Sequence, residues 1–242
     1  MTPLIRAVIF DLDGCLVDSE TMAIGAIAQE MSDMGMSGVT FDEIRARFLG
    51  VSMRVIFDYA AQQTGETSRE DFIMRVEARL FKDYQDNLRR FSGVKKMLKA
   101  LRNNGLLVAI ATGGSIRRMN ETLSHSDLAD WFDGVAFSAD QVEQGKPAPD
   151  IFLFAAQNLG VLPAECIVFE DSPHGVEGAV AAGMQAVGFV GGSHLEGIRE
   201  AHTALLREKG AVSVVSDMAG ATKALLYPFP WGGSKTRPRN IS

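Results

Sequence analysis

The sequence predicts an α/β protein built on a doubly wound parallel sheet, with a block of helices inserted near its start. Three observations lead there. Short apolar runs recur along the 242-residue chain, each closed by an acid, a hydroxyl residue or glycine, and runs of that length suit strands buried on both faces. Between them lie stretches of helical period, and strands alternating with helices imply a parallel sheet covered on both sides. Residues 20–87 break the alternation with helical patterns and no strand-like run.

In chain order, residues 6–12 carry the apolar run Ala-Val-Ile-Phe and stop at acid and glycine, which reads as the first strand. Amphipathic helices follow over 23–34, 41–48, 53–63 and 69–87. About 65 residues of helix is too long for a crossover and is a small domain in itself. Residues 91–104 place Val94, Met97, Leu98 and Leu101 on one helical face. Strands are expected over 106–112, 135–138, 166–171, 185–190 and 212–216, with an alanine-rich helix over 173–183 that ends at glycine. The expected domains are a core of 1–18 and 88–227, a helical cap of 19–87, and a mobile tail of 228–242 rich in Pro, Gly and basic residues.

Composition narrows the function. The chain has 30 Asp+Glu against 24 Lys+Arg, a net charge of -6; that sign repels phosphodiester backbones, so no nucleic-acid partner is expected. Only Cys15 and Cys166 occur, which rules out a disulfide framework and fits a reducing cytoplasm. Arg6, Asp11 and Asp13 interrupt the first apolar stretch, so it is no signal-peptide core. The longest nearly apolar run, 178–192, contains five glycines and falls short of the ~18 to 20 residues of a membrane helix.

Ligand sites in open parallel sheets lie beyond the carboxyl ends of the strands. Four polar clusters fall there in order: Asp11-Leu12-Asp13-Gly14, Thr112-Gly113-Gly114-Ser115, Gly145-Lys146-Pro147 and Glu170-Asp171-Ser172. A calcium loop starting at Asp11 fails on spacing, because Leu16 and Met22 stand where its glycine and bidentate glutamate belong. Neither GxxxxGK[ST] nor GxGxxG occurs. Four carboxylates converging on one lysine would force proton uptake unless a cation joined them. A divalent ion with oxygen ligands answers that need, and Mg²⁺ suits a site of few carboxylates. With it bound and Asp13 protonated, the pocket is neutral and could accept a phosphate dianion, helped by the Gly113 and Gly114 amides at a helix start.

Asp11-Leu12-Asp13-Gly14, Thr112 after an apolar strand, GKPAPD at 145–150 and Glu170-Asp171 resemble the four motifs of the haloacid dehalogenase-like hydrolase superfamily. The similarity runs to about Leu226 and includes EDSPHGVEGAVAAGM at 170–184. The inserted helices resemble the cap of its β-phosphoglucomutase and sugar-phosphatase branch. The resemblance implies a Rossmann-like core with Asp11 as nucleophile and Asp13 as acid and base. Thr112, Gly113, Gly114 and Lys146 would bind phosphate, and Asp11, the Asp13 carbonyl and Asp171, supported by Glu170, would hold Mg²⁺. Dehalogenases lack the second acid, so Asp13 favours phosphoryl transfer. Phosphonatases need a cap lysine, and Lys82 is the cap's only one.

The mutases of that branch carry a histidine where this chain has Ala23, and Lys-Gly-Val-Ser-Arg where it has Leu49-Gly50-Val51-Ser52-Met53. Missing both cations, the chain reads as a phosphatase of small sugar, polyol or sugar-acid phosphates, with a mutase-like isomerase as the alternative. A non-enzymatic phosphometabolite-binding or aspartyl-phosphate signalling module is a third reading, and Asp13 weighs against it. Ser19, Glu20, Ser52 and Arg54 are the candidate contacts to the leaving group. Cys15 reads as a small buried filler, and His125, His174, His194 and His202 show no ligand spacing. A monomer or weak homodimer is expected.

Overall fold

The computed structural model describes residues 4–49 and 51–227. Gly50 and the expected tail of 228–242 lie outside them. Six parallel strands form one sheet in the order β3-β2-β1-β4-β5-β6. They are β1 (Ala7–Phe10), β2 (Leu107–Thr112), β3 (Ala136–Ser138), β4 (Cys166–Glu170), β5 (Gln185–Phe189) and β6 (Ser213–Val215). The helices are α1 (Glu20–Asp33), α2 (Phe41–Phe48), α3 (Met53–Thr64), α4 (Arg69–Asn87), α5 (Val94–Asn103), α6 (Ile116–His125), α7 (Asp150–Leu159), α8 (Pro173–Ala181), α9 (Arg199–Glu208) and α10 (Met218–Leu226). Among the described residues no helix is long and apolar enough to cross a membrane.

The apolar runs become central strands because alternate side chains feed two different cores. Val8 and Phe10 of β1 join the cluster that holds Ile110, Ile167 and Phe169, while Ala7 and Ile9 join Ala109, Ala111 and Val168 on the opposite face. Across the first face runs an aromatic row. Phe132, Phe10, Phe169, Phe189 and Phe91 follow one another with ring centroids 6.3, 5.9, 5.3 and 5.2 Å apart, distances at which edge-on and tilted rings attract. β1 sits at the middle, pairing Ala7 with Leu107 on one side and with Cys166 on the other. The chain therefore leaves β1 toward one edge and returns toward the other, which opens a crevice at its carboxyl end.

Helices α1 to α4 lie between β1 and β2, where the rhythm of the sequence breaks. Thr40 and Ser68 cap α2 and α4 by accepting the amides of Glu43 and Asp71, the interaction that favours hydroxyl residues at helix starts. Two helices begin elsewhere than periodicity suggests. α1 starts at Glu20, three residues earlier, although the Ser19 hydroxyl makes no cap. α5 starts at Val94, three residues later, because Gly93 takes φ +93 and breaks the helical path. The two chains joining these helices to the sheet run side by side, with Val17 bridged to Arg90 and the Asp18 amide donating to the Arg89 carbonyl at 2.9 Å.

Candidate active site

At the carboxyl end of β1 the chain must turn sharply beneath a second acid. Gly14 does this at φ +79, and a Cβ there would collide with the Asp171 carboxylate, so only glycine serves both the turn and the approach. Gly175, in the first turn of α8, likewise leaves room for the Glu170 carboxylate. The result is four buried acids at adjacent strand ends: Asp11, Asp13, Glu170 and Asp171, none more than 6% exposed.

Lys146 comes in from the loop after β3. Its side chain is 5% exposed, and its ammonium donates to Asp11 Oδ1 and to Glu170 Oε2, each at 2.7 Å. Burial works against that charge, but the two carboxylates outweigh it and hold the lysine protonated well beyond its ordinary range. Burial also pushes the acids up. Asp11 is raised well above the usual carboxylate range despite Lys146, with Glu170 and Asp171 adding to the rise. Glu170 is pushed up to about 7 by burial, again against the pull of Lys146. Glu170 Oε1 also accepts the Ser172 amide at 3.1 Å.

Thr112 ends β2, buried, and its Oγ1 accepts the Gly114 amide at 3.1 Å. Ser138 donates to the Gly114 carbonyl at 2.6 Å, and Ser115 caps α6 through the Arg118 amide. These bonds fix the Gly113-Gly114 turn at a helix amino terminus, where an anion is favoured.

Asp11, Cys15 and Asp171 each bring a ligand-type atom within 4.8 Å of the others. The Cys15 sulfur lies 3.8 Å from Asp171 Oδ1, and burial together with Asp171 and Asp11 keeps its thiol from ionising. A neutral thiol is a poor ligand, which leaves Asp11 and Asp171 as the hard oxygen donors. Asp13 has a different setting. Its Oδ1 accepts from the Ser19 hydroxyl at 2.5 Å and faces Arg118 Nη2 at 3.1 Å, while Oδ2 has no protein partner among the described residues.

Asp11, Asp13, Thr112, Gly113, Gly114, Lys146, Glu170 and Asp171 all line one cleft of about 80 Å³. Glu20 and Ser52 line it from the inserted helices, beside the apolar Ala23, Leu49, Val51 and Met53. Arg54 does not line it: the residue is exposed on the first turn of α3. Arg47 is also turned away, stacked 4.8 Å from the Tyr59 ring centroid.

Two residues with no role assigned from sequence stand in or beside the site. Arg118, on the first turn of α6, lines the cleft with its side chain 11% exposed. His194 follows β5 and is fully buried, with Nε2 3.0 Å from Asp171 Oδ2 but off the direction of a hydrogen bond. Burial opposes a charge on this ring, yet Asp171, with Glu20 and Asp18 behind it, raises its pKa above the ordinary value. The signal for Arg118 was in the charge count, since four converging acids with one lysine call for another cation. Gly191-Gly192-Ser193-His194 is a further polar cluster after a strand and was the available sign of His194.

Residues 8–189 match the family described as haloacid dehalogenase-like hydrolase. The chain is 32% identical over 185 residues to hexitol phosphatase B of Escherichia coli (strain K12), covering 76% of this chain and 82% of that protein. It is 33% identical over 211 residues to a phosphorylated carbohydrates phosphatase of Thermotoga maritima, covering 87% and 94%. A HAD family hydrolase of Deinococcus radiodurans R1, solved with bound phosphate and sodium, has a TM-score of 0.70 at 31% identity over 93% of this chain and 96% of its own. With its sheet order, its buried acids at the strand ends and these matches, the chain belongs to the haloacid dehalogenase-like hydrolases and is a phosphoric monoester hydrolase.

Proposed function

We propose that the protein is a Mg²⁺-dependent phosphatase of small phosphorylated metabolites, sugar or polyol phosphates above all, working through a phosphoryl group carried on Asp11. The observation that carries this reading is the buried Lys146 ammonium bridging Asp11 and Glu170 at 2.7 Å. It orients a carboxylate as nucleophile and leaves one cation facing the incoming phosphoryl oxygens.

Asp11 attacks phosphorus, forming a bond from its carboxylate oxygen as the ester oxygen departs. Asp13 delivers its proton to that oxygen, and the free Oδ2 is the atom with no competing protein bond. Asp13 then takes a proton from the water that attacks the phosphorus and frees Asp11. Thr112 and the Gly113 and Gly114 amides hold the transferring group, where charge develops. The donors around Asp11 and Asp171, hard carboxylate oxygens in a pocket of excess negative charge, fit Mg²⁺, with the Asp13 carbonyl as a third ligand. Glu170, bonded to Lys146 and the Ser172 amide, supports this set from behind. Bound there, the ion supplies positive charge to the phosphoryl oxygens and offsets the crowded acids. The helices of residues 19–87 serve as a cap over the leaving group.

Apolar Leu49 and Met53 line the cleft at the positions where the mutases carry lysine and arginine, and Ala23 lines it where they carry histidine. A bisphosphate would find no anchor there, which favours water as acceptor. Two measurements test the reading. A screen of sugar and polyol phosphates should show phosphate release with Mg²⁺, loss of at least ~10²-fold on chelation and recovery when the ion is restored; undiminished turnover after exhaustive demetallation would overturn it. Asp13→Asn should lower kcat by ~10² to 10⁴-fold, the contribution of one positioned acid and base, and wild-type rates in that variant would remove Asp13 from its role.

A further inference from the structure

Glu20 and Arg118 have no part in the steps above, yet Arg118 touches the acid that carries the proton, and Glu20 touches Arg118. Arg118 Nη2 lies 2.9 Å from Glu20 Oε1 and 3.1 Å from Asp13 Oδ1. Glu20 opens α1 and Arg118 stands on α6, so their pair joins the inserted helices to the core beside the departing alcohol. Neither side chain is more than 16% exposed. Burial raises the Glu20 carboxyl while Arg118 counters it, and Arg118 keeps its charge against burial because Asp13, Tyr84 and Glu20 surround it. The guanidinium is thus already engaged, paired with Glu20 and facing Asp13. Glu20 Oε2 has no protein partner among the described residues. The wall on this side is otherwise the hydroxyl of Ser52 and apolar side chains.

We infer that the Glu20–Arg118 pair determines specificity: the free Glu20 oxygen accepts a hydroxyl of the leaving alcohol, Arg118 holds that carboxylate in place, and a leaving group bearing its own anion is turned away. The inference rests on the phosphatase reading and deepens it, giving the substrate as the monophosphate of a neutral polyol or sugar. A carboxylate or second phosphate on the alcohol would sit against Glu20 with Arg118 already engaged, and like charges set side by side in a buried site repel. Specificity of this kind comes from the repulsive group as much as from the attractive one.

Two matched substrate pairs test this: glycerol 3-phosphate against 3-phosphoglycerate, and glucitol 6-phosphate against 6-phosphogluconate. Within each pair a terminal CH₂OH is replaced by a carboxylate. The wild type should favour the neutral member by ~10-fold or more in kcat/KM. Glu20→Gln, which keeps shape and removes charge, should bring the ratio to within ~3-fold, mainly through KM, and Arg118→Lys should raise KM for the neutral member. A wild type that prefers the acid, or a Glu20→Gln variant that slows both members alike, would overturn the inference. If p-nitrophenyl phosphate is hydrolysed but neither pair is, the inference falls and the phosphatase reading stands. If p-nitrophenyl phosphate is not hydrolysed either, both fall.

Discussion

Asp11→Asn is expected to lower kcat by at least ~10⁴-fold, on the scale seen when an enzyme loses its nucleophile, with the fold intact. The amide oxygen can still accept from Lys146, so the local geometry survives. What is lost is a carboxylate able to form a bond to phosphorus. The substitution also takes one negative charge out of a cluster in which burial already holds Asp11 well above the usual carboxylate range. Thermal stability should therefore hold or rise. Phosphate release and a melting curve check both halves, with mass spectrometry to show that the asparagine has not deamidated. Hydrolysis above ~1% of wild type in intact variant would take the nucleophile's role from Asp11.

Lys146→Met should damage activity and stability together. The lysine is the shared partner of Asp11 and Glu170, and removing one side of a buried ion pair costs ~3 to 5 kcal/mol, because the other is left uncompensated. Activity should fall by ~10² to 10³-fold, as when a preorganised donor to a developing charge is removed. The stability loss carries a sign with pH. Glu170 sits at about 7 in the folded chain even with Lys146 present, and it rises further without the lysine. An acid whose folded pKa is raised binds its proton more tightly in the native state than in the unfolded one, so stability falls as pH climbs through that interval. In metal-free buffer the gap in melting temperature between variant and wild type should widen as pH climbs above about 7, where Glu170 ionises in the wild type but still holds its proton in the variant. A constant gap would show that the lysine is not offsetting these acids.

The parts legible in the sequence share one property: each is abnormal where it stands. An apolar run that stops at two acids and a glycine has no bland use at the middle of a sheet, so Asp11, Asp13, Glu170 and Asp171 stand out without coordinates. The strands come through for a related reason, since burial on both faces leaves continuous apolar text. Arg118 shows the opposite case. It follows Arg117 in a helix whose outer face is solvated, and nothing in the order of residues says which of the two turns inward. In the fold Arg117 is 55% exposed and Arg118 11%, a difference fixed by how α6 packs beside Asp13 and Glu20. Arg54 errs the other way, close in sequence to the loop that lines the cleft but on the outer side of α3. Ser19 precedes α1 without capping it. A hydroxyl before a helix reads as a cap, but this one bonds Asp13, a partner that sequence spacing alone does not identify.

The place of β1 in the sheet bears on how the enzyme is made. The strand that presents Asp11 leaves the ribosome before the other five, yet its neighbours are residues 107–110 and 166–169. Until the second of these emerges, a nascent chain carries a bare apolar edge and an incomplete catalytic centre, and such long-range pairing is slow and open to aggregation. The inserted helices meet one another within residues 20–87, α1 against α2 and α4, and α3 against α4, so those contacts wait for no later strand. Translation that stalls before Cys166 should therefore leave a sticky, inactive remnant that chaperones must hold or proteases clear.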